Sequence, residues 1–414
     1  MTVPVAPDAA AAHPPSVPLH RNRDFMVLWT SQVVSTVGTR ASGIAYPLLV
    51  LAITGSPALA GIVAFAQTVP FAIFYLPAGA LVDRWNRRRI MLVCEVGRAI
   101  ALGSVALTTA LGTVSVPQLV IVAFAEGTMF VFFDLCEGAV LPRLVPREQL
   151  SAAIAQNQAR TQGADLVGQP LGGALFGIGR TFPFAFDMLS YLVSFIALLS
   201  IRTPLAAPSS ATRSRLRTEI AEGLRAVWRQ PFLRVSVAVA AGQNFAWSAL
   251  ILVLIVRAQQ LGAGPGLIGV MFGIMGAGAI CGAIVAPAIV RRVRIWPLLV
   301  AINWLWAIQV AAVAVLPNVV AIGIVMATLS IGGPISNVAV GTVLYRVTPD
   351  AMLGRVRSVT KAVAWGATPL GSIAAGFLAV GFGAQGAIVA LASVLALVAA
   401  GASLARGLRQ VPES

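Results

Sequence analysis

Charge is scarce in this sequence. Asp, Glu, Lys and Arg make up 10% of its 414 residues, where a soluble domain carries about 25%. Histidine is nearly missing too: His13 and His20 both stand in the first twenty residues, so no histidine triad, metal cage or proton relay can be drawn in the body of the chain. The three cysteines, Cys94, Cys136 and Cys281, lie in apolar stretches with neither zinc spacing nor a disulfide framework, and read as inert buried thiols. No G-x-x-x-x-G-K-[ST] loop occurs, which leaves ATP without a binding signature as direct fuel. No metal, cofactor or enzymatic activity is expected.

What the chain has in abundance is apolar surface: 58% hydrophobic residues and a mean hydropathy of +0.88. That composition belongs in a bilayer. At about 20 residues per crossing, apolar runs bounded by Gly, Pro or Arg place spans near 25–52, 58–82, 90–112, 117–140, 152–178, 181–201, 234–257, 266–290, 296–316, 318–343, 357–380 and 385–405. The expected fold is an all-α integral membrane protein, twelve transmembrane helices in two pseudo-symmetric six-helix bundles. Residues 1–20, rich in Ala and Pro, read as a disordered cytoplasmic tail. Residues 21–201 form the first bundle, 202–233 a cytoplasmic linker, 234–406 the second bundle, and 407–414 a cytoplasmic tail. Within the linker, Leu216, Ile220, Leu224 and Val227 alternate with Arg217, Glu222, Arg225 and Arg229 at helical spacing, the pattern of an amphipathic helix lying on a membrane surface.

The net charge of +15 is explained by topology. Of the 29 Lys and Arg, 23 fall in the tails and the even-to-odd loops, two (Arg180 and Arg257) in the opposite loops, and four inside spans. The positive-inside rule then puts both termini in the cytoplasm, and nucleic acid is not a partner. A ratio of 28 arginines to one lysine suits a GC-rich bacterial genome, hence a bacterial inner membrane. An internal repeat supports two halves: a shift of 203 residues superposes Gly79, Arg88 and Arg89 on Gly282, Arg291 and Arg292, and Leu141, Arg143 and Pro146 on Leu344, Arg346 and Pro349. Parallel repeats of this kind build rocker-type secondary transporters.

Between spans 2 and 3 stand Gly79, Asp83, Arg84, Arg87 and Arg88 in the run GALVDRWNRRR. Gly79 permits close helix approach, Asp83 is an anion able to face a helix N-terminus, and the arginines hold the loop at the headgroups. The run resembles the G-x-x-x-D-R-x-x-R-[RK] loop of the major facilitator superfamily, where it clasps the start of span 11 when the cytoplasmic side is shut. Arg23-Asp24-Phe25, Leu76-Pro77-Ala78-Gly79, Leu141-Pro142-Arg143 and Gly354-Arg355-Val356 resemble one branch of it, the twelve-span exporters related to macrolide-efflux and enterobactin-export proteins. Gly168, Pro170, Gly172 and Gly173 of span 5 are similar to that superfamily's antiporter motif, its G-P pair here interrupted by Gln169. The resemblance implies a monomeric secondary transporter that exports a small amphiphilic organic molecule by proton antiport and alternating access. An importer or lysophospholipid flipper of the same fold, and a non-transporting receptor, are the alternatives. Two departures stand out: Gly38-Thr39-Arg40 replaces the acid that relatives often carry in span 1, and span 4 holds acids where other branches hold an arginine.

Ionisable groups at bilayer depth cost at least a few kcal/mol and default to function. Glu126, Asp134 and Glu137 share a sector of span 4, with Glu126 nearest the middle and best placed to carry a proton. Asp165 on span 5 and Asp187 on span 6 are further proton-coupling candidates. Their charge partners are Arg40, Arg98 and Arg160, with two expected local solutions: Arg98 satisfied by Glu95 on its own helix, and Arg40 meeting Asp187 or an anionic group of the substrate. Gln32, Tyr46, Gln67, Tyr75, Asn244, Trp247, Asn337 and Trp365 are candidates to line a substrate cavity.

Cysteines introduced at Ser56, Gly112 and Asn318 are expected to react with an impermeant maleimide in intact cells, and one at Ser214 only after lysis. Labelling of Ser214 in intact cells would reverse the orientation.

Overall fold

The computed structural model describes residues 18–82, 85–205, 216–348 and 350–405. Among these the chain forms thirteen α-helices and two single-turn 3₁₀ segments, with no strand. The first half comprises α1 (Arg23–Thr54), α2 (Pro57–Val82), α3 (Arg87–Ala110), α4 (Val116–Leu144), α5 (Leu150–Ile178) and α6 (Phe182–Ser200). A short α7 (Leu216–Arg229) leads into α8 (Pro231–Gln260), α9 (Pro265–Arg292), α10 (Ile295–Val313), α11 (Val319–Val347), α12 (Asp350–Gly366) and α13 (Thr368–Leu404).

The punctuation is local chemistry. Asn22, Asn86 and Asn318 cap α1, α3 and α11 by accepting from the amides of Phe25, Arg89 and Ala321 at 3.2, 3.3 and 2.9 Å, each satisfying one otherwise orphaned N–H. Proline occupies the first turn of α4, α6, α8, α9 and α13, where its missing N–H costs nothing.

Among the described residues ten helical stretches are long and apolar enough to cross a membrane. One of them, Val356–Leu404, has 49 residues and would reach about 74 Å as one helix, against a hydrocarbon core of about 30 Å. It breaks at Gly383 (φ 67°, ψ 174°) and so makes two crossings. The polar α5 adds another by its 29-residue length. About twelve crossings result among the described residues. Span 11 is therefore built from the later part of α12, from Val356, and the first leg of α13.

Lipid-facing surfaces are apolar in the same periodic way. Along α3, Val93, Ile100 and Leu107 are 69%, 68% and 61% exposed at intervals of seven, one face of the helix. In α7, Val227 is buried while Leu224 and Trp228 stay exposed, as an amphipathic helix on a membrane surface requires. Leu19 is buried against the first half and sits in a turn over Leu19–Arg21, which corrects the reading of residues 18–20 as part of a disordered tail. Residues 1–17 and 407–414 of the expected tails, 206–215 of the linker and 406 of the second bundle lie outside the described residues.

The core decides the shape. At the face away from Pro18 and Ala405 a single apolar core unites the halves, with Tyr46 and Leu48 of α1 and Phe184 of α6 in one cluster with Leu250 of α8, Phe272 of α9 and Ile388 of α13. Towards the terminal face it divides. Phe25, Met91, Cys136 and Leu198 form one core within the first half, while Phe232, Val343, Val356 and Val359 form another within the second. The halves are welded at one face and have separate interiors at the other.

At Gly383 the backbone is in a region that residues with a Cβ scarcely enter. Gly383→Ala should lower stability by about 1–3 kcal/mol, whereas Gly381→Ala, in an open helical position, should be neutral or slightly stabilising. Thermal unfolding of the two detergent-solubilised variants checks this; equal melting temperatures would remove the argument for a glycine-dependent break.

Candidate functional site

Glu126 of α4 is 2% exposed and turned into the first half. Tyr46 of α1 donates to its Oε2 at 3.0 Å and Tyr191 of α6 to its Oε1 at 3.3 Å, and Gln67 of α2 adds a side-chain hydrogen bond. Beside it, fully buried Asp187 accepts from Ser190 at 3.0 Å and from Ser42 of α1. Glu95 of α3 accepts from Ser194 at 2.7 Å and from Gln32 at 3.3 Å, leaving its Oε2 without a hydrogen-bond partner. Three carboxyl groups thus occupy one interior, each met by neutral donors.

The cation in this interior is Arg98, 3% exposed. Its guanidinium carbon lies 4.0 Å over the Tyr191 ring and 5.9 Å from that of Phe130, and its Nη2 donates to Thr39 at 3.3 Å. The expected pairing with Glu95 is corrected in its form. No direct ion pair joins Arg98 to Glu95 among the described residues: Ser194 and Gln32 bond one Glu95 oxygen, Arg98 acts on the acid through space, and its flat face lies on an aromatic ring. Thr39 is also 2.9 Å from the Tyr191 hydroxyl and 2.9 Å from the Ser35 carbonyl. Its one hydrogen serves either acceptor, so Tyr191 donates to Glu126 when Thr39 donates to it, and is free to turn to Thr39 when Thr39 bonds to Ser35.

Arg40 is corrected too. It pairs with Asp165 of α5 at 2.7 Å, not with Asp187, and both side chains of the pair are partly open, at 41% and 26%. Gly168 and Gly172 bring α5 against Val37 and Ala41 of α1, which places Asp165 one turn away, beside Arg40. On the other flank of α5 the main chain of Pro265 and Gly269 stands where a side chain at Gly173 would be, and Pro170 fills the space beside Gly273. The glycine–proline run is therefore the seam between the halves. Arg160 closes a two-pronged pair with Glu137 at 2.6 and 3.2 Å, its side chain 8% exposed.

Asp134, the third acid of α4, faces the second half. Tyr75 of α2 donates to its Oδ2 at 3.1 Å, and Lys361 of α12 meets the same oxygen at 2.8 Å with its ammonium 4.9 Å from the Tyr75 ring. Lys361 is a residue that reading the sequence missed, although it is the chain's sole lysine and falls within an apolar span. Tyr191 was missed as well; with Tyr46 and Tyr75 it makes three of the four tyrosines bonded to an intramembrane acid. Of the cavity candidates, Gln32, Tyr46, Gln67 and Tyr75 belong to these networks. Trp247 and Trp365, each 38% exposed, half-buried Asn244 and exposed Asn337 present surface. In the loop after α2, Arg87 is buried with its Nη1 on the Ala139 carbonyl, and Arg88 donates to the Leu199 carbonyl at 2.7 Å. Gly79, in the last turn of α2, is half-buried; Asp83 and Arg84 lie outside the described residues.

A family model described as transmembrane secretion effector matches residues 14–413. The chain belongs to this family of major facilitator transporters. It is a multi-pass membrane transporter and not an enzyme. It is similar to the multidrug efflux pump Tap of Mycolicibacterium fortuitum, 26% identical over 90% of this chain and 93% of that one. Macrolide efflux protein A of Streptococcus pyogenes is 27% identical over 44% of this chain and 45% of its own. A solved bacterial homologue of the human lysosomal transporter Spinster superposes with a TM-score of 0.74 at 16% identity, covering 94% and 97%. The last shares the fold.

Arg160→Ala should leave Glu137 unpaired in the interior and destabilise the protein by about 3–5 kcal/mol, while Glu137→Gln with Arg160→Met recovers most of the loss. Unfolding of the singles and the double in detergent measures this. A neutral Arg160→Ala would mean that the pair does not hold α4 to α5.

Proposed function

We propose that this transporter exports a small amphiphilic organic molecule from the bacterial cytoplasm by proton antiport and alternating access, with both termini inside. The observation that carries the reading is the charge imbalance of the first half's interior: Glu95, Glu126 and Asp187, all 2% exposed or less, surround the one guanidinium of Arg98. Away from water, one guanidinium balances one carboxylate, and a net charge beyond that is costly. The remaining carboxyl groups are then accommodated as protonated acids, which makes the interior a proton store.

Glu126 is the member placed to exchange its proton. Its two phenol donors sit on α1 and α6, and its link to Arg98 runs through Tyr191 and Thr39, whose hydroxyls can be reoriented as described above. A shift of α1 against α6 alters both donors together, so proton release is tied to helix movement. The separate terminal-face cores and the positive-inside distribution support a reading in which the terminal face is the cytoplasmic one and gives access to the interior. In this state a substrate enters from the cytoplasm, as export requires. Similarity to the efflux pumps supports the direction, and the amphiphilic cargo accords with the exposed tryptophans.

Glu126→Gln fixes the neutral form. Proton-driven uphill export in proteoliposomes should be abolished, while ligand binding changes by less than about tenfold, or 1.4 kcal/mol. If the variant still accumulates substrate against a gradient, the proton travels on Asp134, Asp165 or Asp187, or the transport is not proton-coupled.

A further inference from the structure

We propose that Asp134, with the face of Tyr75, forms a binding site for the cationic centre of the substrate, and that Lys361 is a tethered occupant which the arriving cation displaces. The inference deepens the export reading by naming a substrate class, a cationic amphiphile. It stands on a cluster at the junction of α2, α4 and α12.

The site already holds a cation in the manner such sites use. A carboxylate oxygen lies 2.8 Å from the Lys361 ammonium, and the Tyr75 ring faces the same ammonium at 4.9 Å. Carboxylate and aromatic face together attract positive charge, and the ring disfavours an anion in the same place. Tyr75 also fixes the carboxylate through its 3.1 Å hydrogen bond, so the acceptor stays oriented when the occupant changes.

The occupant is held loosely. Side-chain exposures are 45% for Lys361 and 33% for Asp134, and the contact is a single ammonium on a flexible stem. One turn further along α4, Glu137 is gripped by Arg160 through two bonds, with exposures of 8% and 13%. The same helix therefore carries a closed ion pair and a more exposed one. An organic cation with a less strongly hydrated charge than an ammonium has an advantage there.

Depth supplies the amphiphile's other half. Phe71 precedes Tyr75 by one turn on α2, Phe130 precedes Asp134 by one turn on α4, and Trp365 follows Lys361 by one turn on α12. Because α12 runs opposite to α2 and α4, all three rings lie on the same, deeper side of the charges. They meet: Phe71 is 5.5 Å from Phe130 and 5.8 Å from Trp365, and 6.0 Å from Tyr75. A charged head on Asp134 would set an apolar body against Phe71, Phe130 and the exposed edge of Trp365. Since Lys361 comes from the second half, loading would also remove an ion pair that ties α12 to α4.

The test is equilibrium binding of radiolabelled tetraphenylphosphonium, and of the same-shaped anion tetraphenylborate, to the full chain in lipid nanodiscs, with empty nanodiscs subtracted. Wild-type protein should bind the cation specifically and the anion not. Asp134→Asn should weaken cation binding by about tenfold or more, and Lys361→Met should strengthen it by about threefold or more, since the competitor is gone. Should Asp134→Asn fold poorly, the Lys361→Met arm still decides. Unchanged binding in Asp134→Asn, weaker binding in Lys361→Met, no specific cation uptake by either wild type or Lys361→Met, or specific anion uptake lost in Lys361→Met would each overturn the proposal. No gradient or transport is read, so failure of proton-coupled export leaves this measurement intact, and the reverse also holds.

Discussion

No side chain fits at Gly173, because the backbone of α9 stands where its Cβ would be, and Gly168 and Gly172 meet α1 on the opposite flank of the same helix. Inside a bilayer, hydrocarbon offers helices no hydrophobic reason to associate, so close backbone approach and interhelical hydrogen bonds must hold them. The run in α5 thus clamps one half of the transporter to the other. A second seam lies between α2 and α13, where Gly61 meets Gly376 and Ser372. Both seams reach the face that the shared apolar core fills, and neither half shares a core with the other at the terminal face. The separate cores at the terminal face, the partial exposure of Arg40 and Asp165, and the contact of Lys361 with Asp134 all follow from where the helices are allowed to touch.

With the seams fixed, the acids of α4 face different degrees of isolation from water. Glu126 lies deepest, inside a cage of phenols and an amide, and no guanidinium touches it. Asp134 stands at the junction of the halves with a partly exposed ammonium. Glu137, nearest the terminal end, is locked by a two-pronged arginine. Solvation explains the series. A carboxylate beyond reach of water needs a cation, a set of donors or a proton, and the three positions use these remedies differently. The two open or adaptable positions are the ones that chemistry can act on, whereas the closed pair joins α4 to α5.

The spans were legible because the hydrocarbon core filters composition at every crossing, and even α5, which carries Arg160, Asp165 and several amides, was placed at 152–178 against an observed Leu150–Ile178. The amphipathic α7 was legible for a similar reason: its periodicity reports a surface. Pairing inside the membrane was much less so. Sequence spacing put Glu95 and Arg98 on one side of α3, yet it could not foresee that Ser194 and Gln32 would satisfy the acid from other helices. Nor could it tell that Arg40 would meet Asp165, since that depends on the register of α5 against α1, set by two glycines. Lys361 left a compositional mark as the sole lysine, and its meaning emerged only once α12 was placed beside α4.

The halves are alike in fold and unlike in charge. Of the chain's 14 acids, only Asp350 and Glu413 follow residue 230, and neither lies within a crossing. Every carboxyl group at bilayer depth therefore belongs to the first half, while the second contributes Lys361 as its intramembrane cation. Protonation of a carboxyl alters charge within one rigid group of helices, but the pair formed by Asp134 and Lys361 spans both. Rocking about the glycine seams changes the distance across that pair far more than distances inside either half. An event that neutralises or occupies Asp134 consequently acts on the relation between the halves, and one at Glu126 acts first on α1 against α6. The two sites stand about two turns apart on a single helix, which gives substrate and proton a common mechanical element without requiring that they share a binding position.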